Sequence, residues 1–373
     1  MQSSGCAHFL EITRYCEGGV IHVPEHIVES FQVKRLDILD EKGSTDAALA
    51  PPLSDEELKR MYELLVLSRT FDQRALNLQR EGRLGTYPSF LGQEASQVGS
   101  AFAAGRSDWL FTSFRESGVY VAMGCPMHLI FQYWAGDERG MRIPDKLNVF
   151  PLSIPVGTQI THAVGAAMAV KYRKDRAAVL VYFGDGGSSR GDFHEGLNMA
   201  GVFKLPVVFL CQNNQWAISM PRERQTAAQT IAQKACAYGF EGIQVDGNDV
   251  FAVYKATRDA LKKAKEGGGP ALIECFTYRM ADHTTSDDAS RYRTKEEIEM
   301  WKARDPLLRL RLFMEKKSLW TEAYQKDVEA RSKAAVDEAQ KKAEAIAPPD
   351  PRDMFTYTSE KLAQRQQREI KAL

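Results

Sequence analysis

Two apolar runs, Ala177 to Phe183 (AAVLVYF) and Val207 to Cys211 (VVFLC), lack the alternating polar positions of a half-exposed strand. They read as strands buried on both faces. The stretch between them, about 192–202, has helical length, and a short strand at Gly242–Val245, a helix over 249–266 and a strand at Ala271–Tyr278 follow. Upstream, Ser54-Asp55-Glu56-Glu57 forms a capping box, with Ser54 set to accept from the third helical amide and Glu57 to reach back. Behind it Leu58, Met61, Leu64, Leu65 and Leu76 recur at helical spacing and predict a long helix ending at Gly82. A second helix is expected from Gln93-Glu94, and a third over Thr161–Tyr172, where Gly165, Ala166, Ala167 and Ala169 permit close packing. Strands alternating with helices predict an α/β fold, a mostly parallel sheet flanked by helices.

The ends of the chain read differently. Residues 1–50 are irregular apart from a short strand expected within Phe31–Leu39, and form an N-terminal extension expected to lie over the surface. The main domain spans 51–347. Its last part, Thr294–Ala347, is charged and helical, with Trp301, Leu307, Leu308, Leu310 and Trp320 as an apolar stripe. Pro348-Pro349 and Pro351 end that pattern, and 348–373 is a polar helical tail.

At 373 residues the chain can bury a large core. Lys+Arg and Asp+Glu both total 49, so no net field draws the protein to nucleic acid or to an anionic membrane. The six cysteines are scattered with no CxxC pair, which predicts reduced thiols in a cytoplasmic protein. No apolar stretch approaches the roughly 20 residues of a membrane span. The N-terminus has neither a signal-peptide apolar region nor an Arg-rich transit pattern.

The candidate chemistry lies where the two buried strands end. The first runs into Gly184-Asp185-Gly186 and the second into Asn213-Asn214. In an open parallel sheet, ligands collect beyond the carboxyl ends of the strands. There an aspartate, an amide oxygen and a backbone carbonyl suit a magnesium ion, which keeps phosphate and water oxygens as its other ligands. Two other readings stay open. A dinucleotide fingerprint would need a third glycine where Ser189 stands, and the fold could serve as a scaffold without catalysis.

Gly184-Asp185-Gly186 followed one helix later by Asn213-Asn214 matches the thiamine diphosphate signature. The wider chain, from about residue 53 to about 345, resembles the alpha subunit of the first, decarboxylating component of 2-oxo acid dehydrogenase complexes. The supporting stretches are Gln79–Leu84, Gly92–Ala95, Phe114–Glu116, Val245–Asp249 and Asp282–Asp288 with Tyr292-Arg293. The resemblance implies the thiamine diphosphate-binding fold and magnesium held by Asp185, Asn214 and the backbone carbonyl of Trp216. It implies that Gly186 and Gly187 meet the diphosphate, with Arg115 pairing to a phosphate oxygen and Phe114 beside it, and that backbone groups at Ile154 and Val156 meet the aminopyrimidine. His283 would line the active-site channel as a proton donor near neutral pH, on a loop ordered by Arg291, Tyr292 and Arg293. Ser153, Pro155, Thr158 and Gln159 resemble a potassium-binding turn.

The implied reaction is oxidative decarboxylation of a 2-oxo acid with acyl transfer to the lipoyl domain of an acyltransferase component. A beta subunit would supply the other half of the site in an α2β2 heterotetramer. Pyruvate is the first expected substrate, since Gln79–Leu84 and the GGSSRGDF run look like bacterial pyruvate-type subunits. Branched-chain 2-oxo acids follow, on DGNDVFAVY and the Thr-Ser-Asp-Asp loop, and acetoin is third. Trp216 stands where the family usually has Tyr or Phe, and Phe114 where it often has Tyr. Two further departures bear on regulation and catalysis. Thr284 stands where mitochondrial relatives carry a phosphorylated serine, and Arg139-Gly140-Met141-Arg142 stands near where some relatives have a second histidine. His128, His162 and His194 are expected to be structural.

Overall fold

The computed structural model describes residues 27–356 and 359–373. Val33–Leu373 makes one compact unit, and residues 27–32 ahead of it are exposed and without regular structure. Cys6 and Cys16 lie outside the described residues, and Cys125, Cys211, Cys236 and Cys275 are free thiols.

The elements run β1 (Lys34–Leu36), α1 (Asp55–Arg80), α2 (Glu94–Ala103), β2 (Trp109–Phe111), α3 (Ser117–Ala122), α4 (Met127–Trp134) and α5 (Thr158–Arg173). Then follow β3 (Val179–Gly184), α6 (Gly191–Val202), β4 (Val207–Asn213), the hairpin β5 (Trp216–Ala217) and β6 (Met220–Pro221), β7 (Glu241–Asp246), α7 (Val250–Lys265) and β8 (Ala271–Phe276). The helices α8 (Lys295–Lys302), α9 (Pro306–Lys316), α10 (Glu322–Glu344), α11 (Asp353–Thr356) and α12 (Gln364–Ala372) complete the chain. The charged C-terminal segment is thus three helices, restarted at the caps Asp305 and Thr321.

Six strands pair in the order β1-β7-β8-β4-β3-β2, all parallel. The α/β architecture expected from the sequence is the one observed. Alternate residues of the central strands feed two cores. Leu180, Tyr182, Val208 and Leu210 join the layer of α1, α2 and α7. Val179, Val181, Phe183, Phe209 and Cys211 join the layer of α5 and α6. Burial on both faces is why the two runs read as continuously apolar.

The capping box at Ser54 forms as expected: the Ser54 side chain accepts from the Glu57 amide and Glu57 accepts from the Ser54 amide. Residues 34–50, grouped in the sequence with the extension, are tied in: β1 pairs with β7, and Ile38 and Leu39 are buried. Their amides donate to the Asp249 carboxylate at 2.6 and 2.7 Å, while its other oxygen caps α7. β2, α3 and α4 were not marked by periodicity, being too short for a repeat to register.

Close packing beside β7 leaves no space for a side chain at Gly242, where a Cβ would sit 1.9 Å from the Ala232 carbonyl oxygen. Gly242→Ala is expected to destabilise the fold by about 1–3 kcal/mol through overpacking. A urea titration checks this, and an unchanged midpoint would show that β7 can yield at that point.

Candidate functional site

The paired ends of β3 and β4 build the centre of the site. Gly184 stands opposite Gln212, so the next residue, Asp185, leaves the sheet at the level of Asn213. Asp185–Ser189 forms one tight helical turn that leads into α6. A Cβ at Gly186 would come within 2.7 Å of the Ala217 Cβ, so the turn can lie against the β5–β6 hairpin only without a side chain there.

A cavity of about 530 Å³ opens beyond these strand ends. Asp185, Gly186, Gly187, Asn214 and Trp216 line it. Phe114, Arg115 and His283 also line it, as do Ile154, Val156 and Gln159. Ser153, Pro155 and Thr158 stay outside it, on the turn before α5 and at that helix's first residue.

Asp185 is buried, and burial pushes its pKa up to about 6 despite the Gln225 amide that donates to Oδ2 at 2.7 Å. Backbone amides of Asp185 and Asn214 and the Arg279 charge also favour the carboxylate, yet burial outweighs them, and a cation beside it would offset that cost. The Asn214 amide nitrogen donates to Gln93 Oε1 at 3.1 Å, which fixes its Oδ1 as the acceptor. Among the described residues no three His, Cys, Asp or Glu side chains cluster as a metal site, so a metal here needs the mixed set of carboxylate, amide and carbonyl. The residues present fit magnesium in that form.

Two buried guanidinium groups meet at His283. Arg115 donates to the Ser89 carbonyl at 2.7 Å, to the His283 carbonyl at 2.9 Å and to His283 Nδ1 at 3.1 Å. Arg279, fully buried, donates to the carbonyls of Trp216 and Ile218, to Tyr292 Oη and to His283 Nδ1. All these acceptors are neutral. Burial, then Arg279, brings the Arg115 pKa down to about 10, so it remains charged at neutral pH. An anion entering the cavity would supply the missing counter-charge at Arg115. Two buried polar atoms of cavity-lining residues, Gln93 Nε2 and Gln159 Oε1, also have no partner. This is the donor and acceptor inventory of a site for a polar, anionic ligand.

The expectation that His283 titrates near neutral pH needs correction. Guanidinium groups only donate, so Nδ1 must accept and the proton resides on Nε2. Burial, with Arg115 and Arg279 beside it, brings the pKa down to about 3. His283 is a neutral imidazole that can offer an N–H but not an imidazolium. Its loop is held by the bond from its amide to Asp287 and by the Tyr292 hydroxyl on the same carboxylate. Of the expected loop-ordering residues, Arg293 bonds the Arg279 carbonyl, and Arg291 lies in a short turn without a role at the cavity.

Sequence reasoning missed Arg279, Gln225 and Gln93. Arg279 holds Ile218, which takes a φ of 56°, an unfavourable conformation for a β-branched residue costing on the order of 1–3 kcal/mol. No local pattern marks such residues, because their importance comes from distant partners. Arg139 pairs with Asp137 and donates to the Ala347 carbonyl, away from the cavity.

Residues 62–352 match the family model described as dehydrogenase E1 component. The chain is 46% identical over 282 residues to the 3-methyl-2-oxobutanoate dehydrogenase subunit alpha of Mycobacterium tuberculosis (strain ATCC 25618 / H37Rv), covering 75% of this chain and 77% of the relative. It is 45% identical over 309 residues to the pyruvate dehydrogenase E1 component subunit alpha of Staphylococcus aureus (strain N315), covering 82% of this chain and 84% of the relative. The chain belongs to the dehydrogenase E1 component family and is an oxidoreductase. No helix among the described residues is long and apolar enough to cross a membrane.

The neutral His283 has a consequence for pH. Its folded pKa of about 3 lies below the ordinary 6.5, so on acidification the unfolded chain takes the proton first. This histidine therefore subtracts stability progressively as pH falls from 6.5 toward 3, and contributes no such loss above 6.5. In urea titrations between pH 7.5 and 4.5, His283→Gln is expected to show a shallower loss of stability than the wild type. Equal slopes would mean the imidazole is not held neutral.

Proposed function

We propose that this chain is the alpha subunit of a thiamine diphosphate-dependent 2-oxo acid dehydrogenase first component, acting on pyruvate and passing the acetyl group to the lipoyl domain of an acyltransferase component. The observation that carries the reading is Asp185 and Asn214 at adjacent strand ends, lining one cavity with Arg115 and His283. When bound, the cofactor's thiazolium supplies the electron sink that lets carbon dioxide leave a 2-oxo acid.

In this reading the chain's own residues bind and orient. Asp185, Asn214 and the Trp216 carbonyl hold magnesium, and Gly186 and Gly187 admit the diphosphate close to the backbone. Arg115 neutralises a phosphate oxygen, with Phe114 packed edge-on to His283 and under the Arg115 guanidinium. His283 offers Nε2–H toward the acyl oxygen while Arg115 and Arg279 keep it from taking a second proton. Backbone groups at Ile154 and Val156 would meet the aminopyrimidine. The orphaned Gln159 oxygen supports a potassium site with Ser153, Pro155 and Thr158, where the Ser153 hydroxyl already turns back to the Pro155 carbonyl.

A beta subunit completes the site. Supporting this, Ile154, Val156 and Ile218 are 47, 42 and 57% exposed at the cavity, an apolar rim of the kind a partner covers. Branched-chain 2-oxo acids are the second substrate reading, favoured by the similarity to the 3-methyl-2-oxobutanoate dehydrogenase subunit.

Calorimetry on the chain assembled with its beta subunit tests the site. Asp185→Ala is expected to weaken binding of thiamine diphosphate with Mg²⁺ by about 100-fold or more, and unchanged affinity would refute the metal assignment. The chain without its beta subunit is expected not to decarboxylate. Comparing kcat/KM for pyruvate and 3-methyl-2-oxobutanoate on the assembled enzyme decides the substrate.

A further inference from the structure

We propose that Asp72, on α1 and outside the cavity, is the positioning residue that sets Arg115 and the His283 loop. The carboxylate is buried, and three donors from one short segment converge on it. Tyr87 Oη and the Phe90 amide donate to Oδ1 at 2.8 and 3.0 Å, and the Ser89 hydroxyl donates to Oδ2 at 2.5 Å. The segment 87–90 has no regular secondary structure of its own, so these bonds define its path.

That path carries two outgoing contacts. The Ser89 carbonyl takes the Arg115 guanidinium at 2.7 Å. Tyr87 clamps Thr285 from both sides: the Thr285 amide donates to the Tyr87 carbonyl at 3.1 Å, and the Tyr87 amide donates to Thr285 Oγ1 at 3.2 Å. Arg115 in turn grips His283 at its carbonyl and Nδ1. His283 and Thr285, two residues apart, are therefore both held by groups that Asp72 locates. One carboxylate governs the loop from behind, without touching anything that enters the cavity.

A buried acid is costly in a helix interior unless its bonds matter. Burial pushes the Asp72 pKa up to about 6 against its three donors, with Glu94 of α2 adding to the rise. A purely structural Asp72 would serve the fold as a whole. A positioning Asp72 acts on one loop and one guanidinium, and the two can be separated.

The catalytic consequence rests on the function proposed above, while the loop consequence does not. Asp72→Asn keeps the geometry: its amide oxygen can accept from Tyr87 and Phe90, and its amide nitrogen can donate to the Ser89 hydroxyl. Asp72→Leu removes every acceptor. Both are made in the full chain assembled with its beta subunit. Hydrogen exchange is followed for the segment 281–292 and for the β3–β4 core, with two rates measured beside it: acylation of a lipoyl domain, and decarboxylation coupled to an artificial one-electron oxidant.

Asp72→Leu is expected to speed exchange of 281–292 about tenfold or more with the β3–β4 core unchanged. Lipoyl acylation should fall about 10–100-fold, more than oxidant-coupled decarboxylation, and Asp72→Asn should restore most of both. If Asp72→Leu does not assemble, Tyr87→Phe combined with Ser89→Ala, which removes two of the three donors, is read in the same way. Unchanged exchange in 281–292, or loosening spread evenly through the core, overturns the proposal. A wild-type enzyme inactive on every 2-oxo acid would count against the function, and the exchange result would still decide the role of Asp72.

Discussion

The parallel pairing of β3 with β4 is the constraint on which the site depends. Six residue pairs, from Val179 opposite Val207 to Gly184 opposite Gln212, bring the two strands to the same edge with Asp185 and Asn214 just beyond it. A one-residue slip would invert the faces that feed the two cores, so burial of Leu180, Tyr182, Val208 and Leu210 on one side and Val181, Phe183 and Phe209 on the other locks the register. The geometry of the strand ends is thereby set by hydrophobic packing well behind them. Polar groups at the edge need supply only chemistry.

The price of that chemistry is charge held where solvent cannot reach it. Asp185 is buried with neutral donors only, and Arg115 and Arg279 are buried with neutral acceptors only. Asp185 and Arg115, opposite charges lining one cavity with no ion pair between them, are an arrangement that a cation and an anion arriving together would satisfy. His283 belongs to the same balance. An imidazolium would add a third positive charge beside two guanidinium groups, and the site resolves this by keeping the ring neutral.

Much of this architecture is legible in the residue order. The continuous apolar runs announce buried parallel strands, and Ser54-Asp55-Glu56-Glu57 announces the start of α1, because both signals are local. At the cavity, Asp185 and Asn214 each follow directly on a strand, whereas Arg115 and His283 stand out only through the family resemblance. What could not be read has long-range causes. Asp249 looks like an ordinary helix cap, yet its second oxygen holds the amides of Ile38 and Leu39 from far upstream. That bond helps attach residues 34–50 to the sheet, where the sequence suggests an extension lying over the surface. Arg279 looks like one more charge in a polar loop, and only the fold brings it under the β5–β6 hairpin. The protonation of His283 was misread because isolated histidines titrate near neutrality, whereas its two neighbours come from α3's approach and from the end of β8.

The same separation between local and distant causes explains why this chain can form a stable site and still leave it open. The ligands that hold charge are buried and braced by α1, by the Tyr87–Phe90 segment and by Arg279, all within one compact unit. The apolar residues Ile154, Val156 and Ile218, by contrast, are about half exposed at the same cavity. Burying polar ligands requires many fixed bonds and must be arranged within the folded chain, whereas burying an apolar rim needs only complementary shape and can be left to a second chain. A site built this way binds its charged groups on a rigid wall. Under the function proposed above, a second subunit lying over that rim would exclude water from the site.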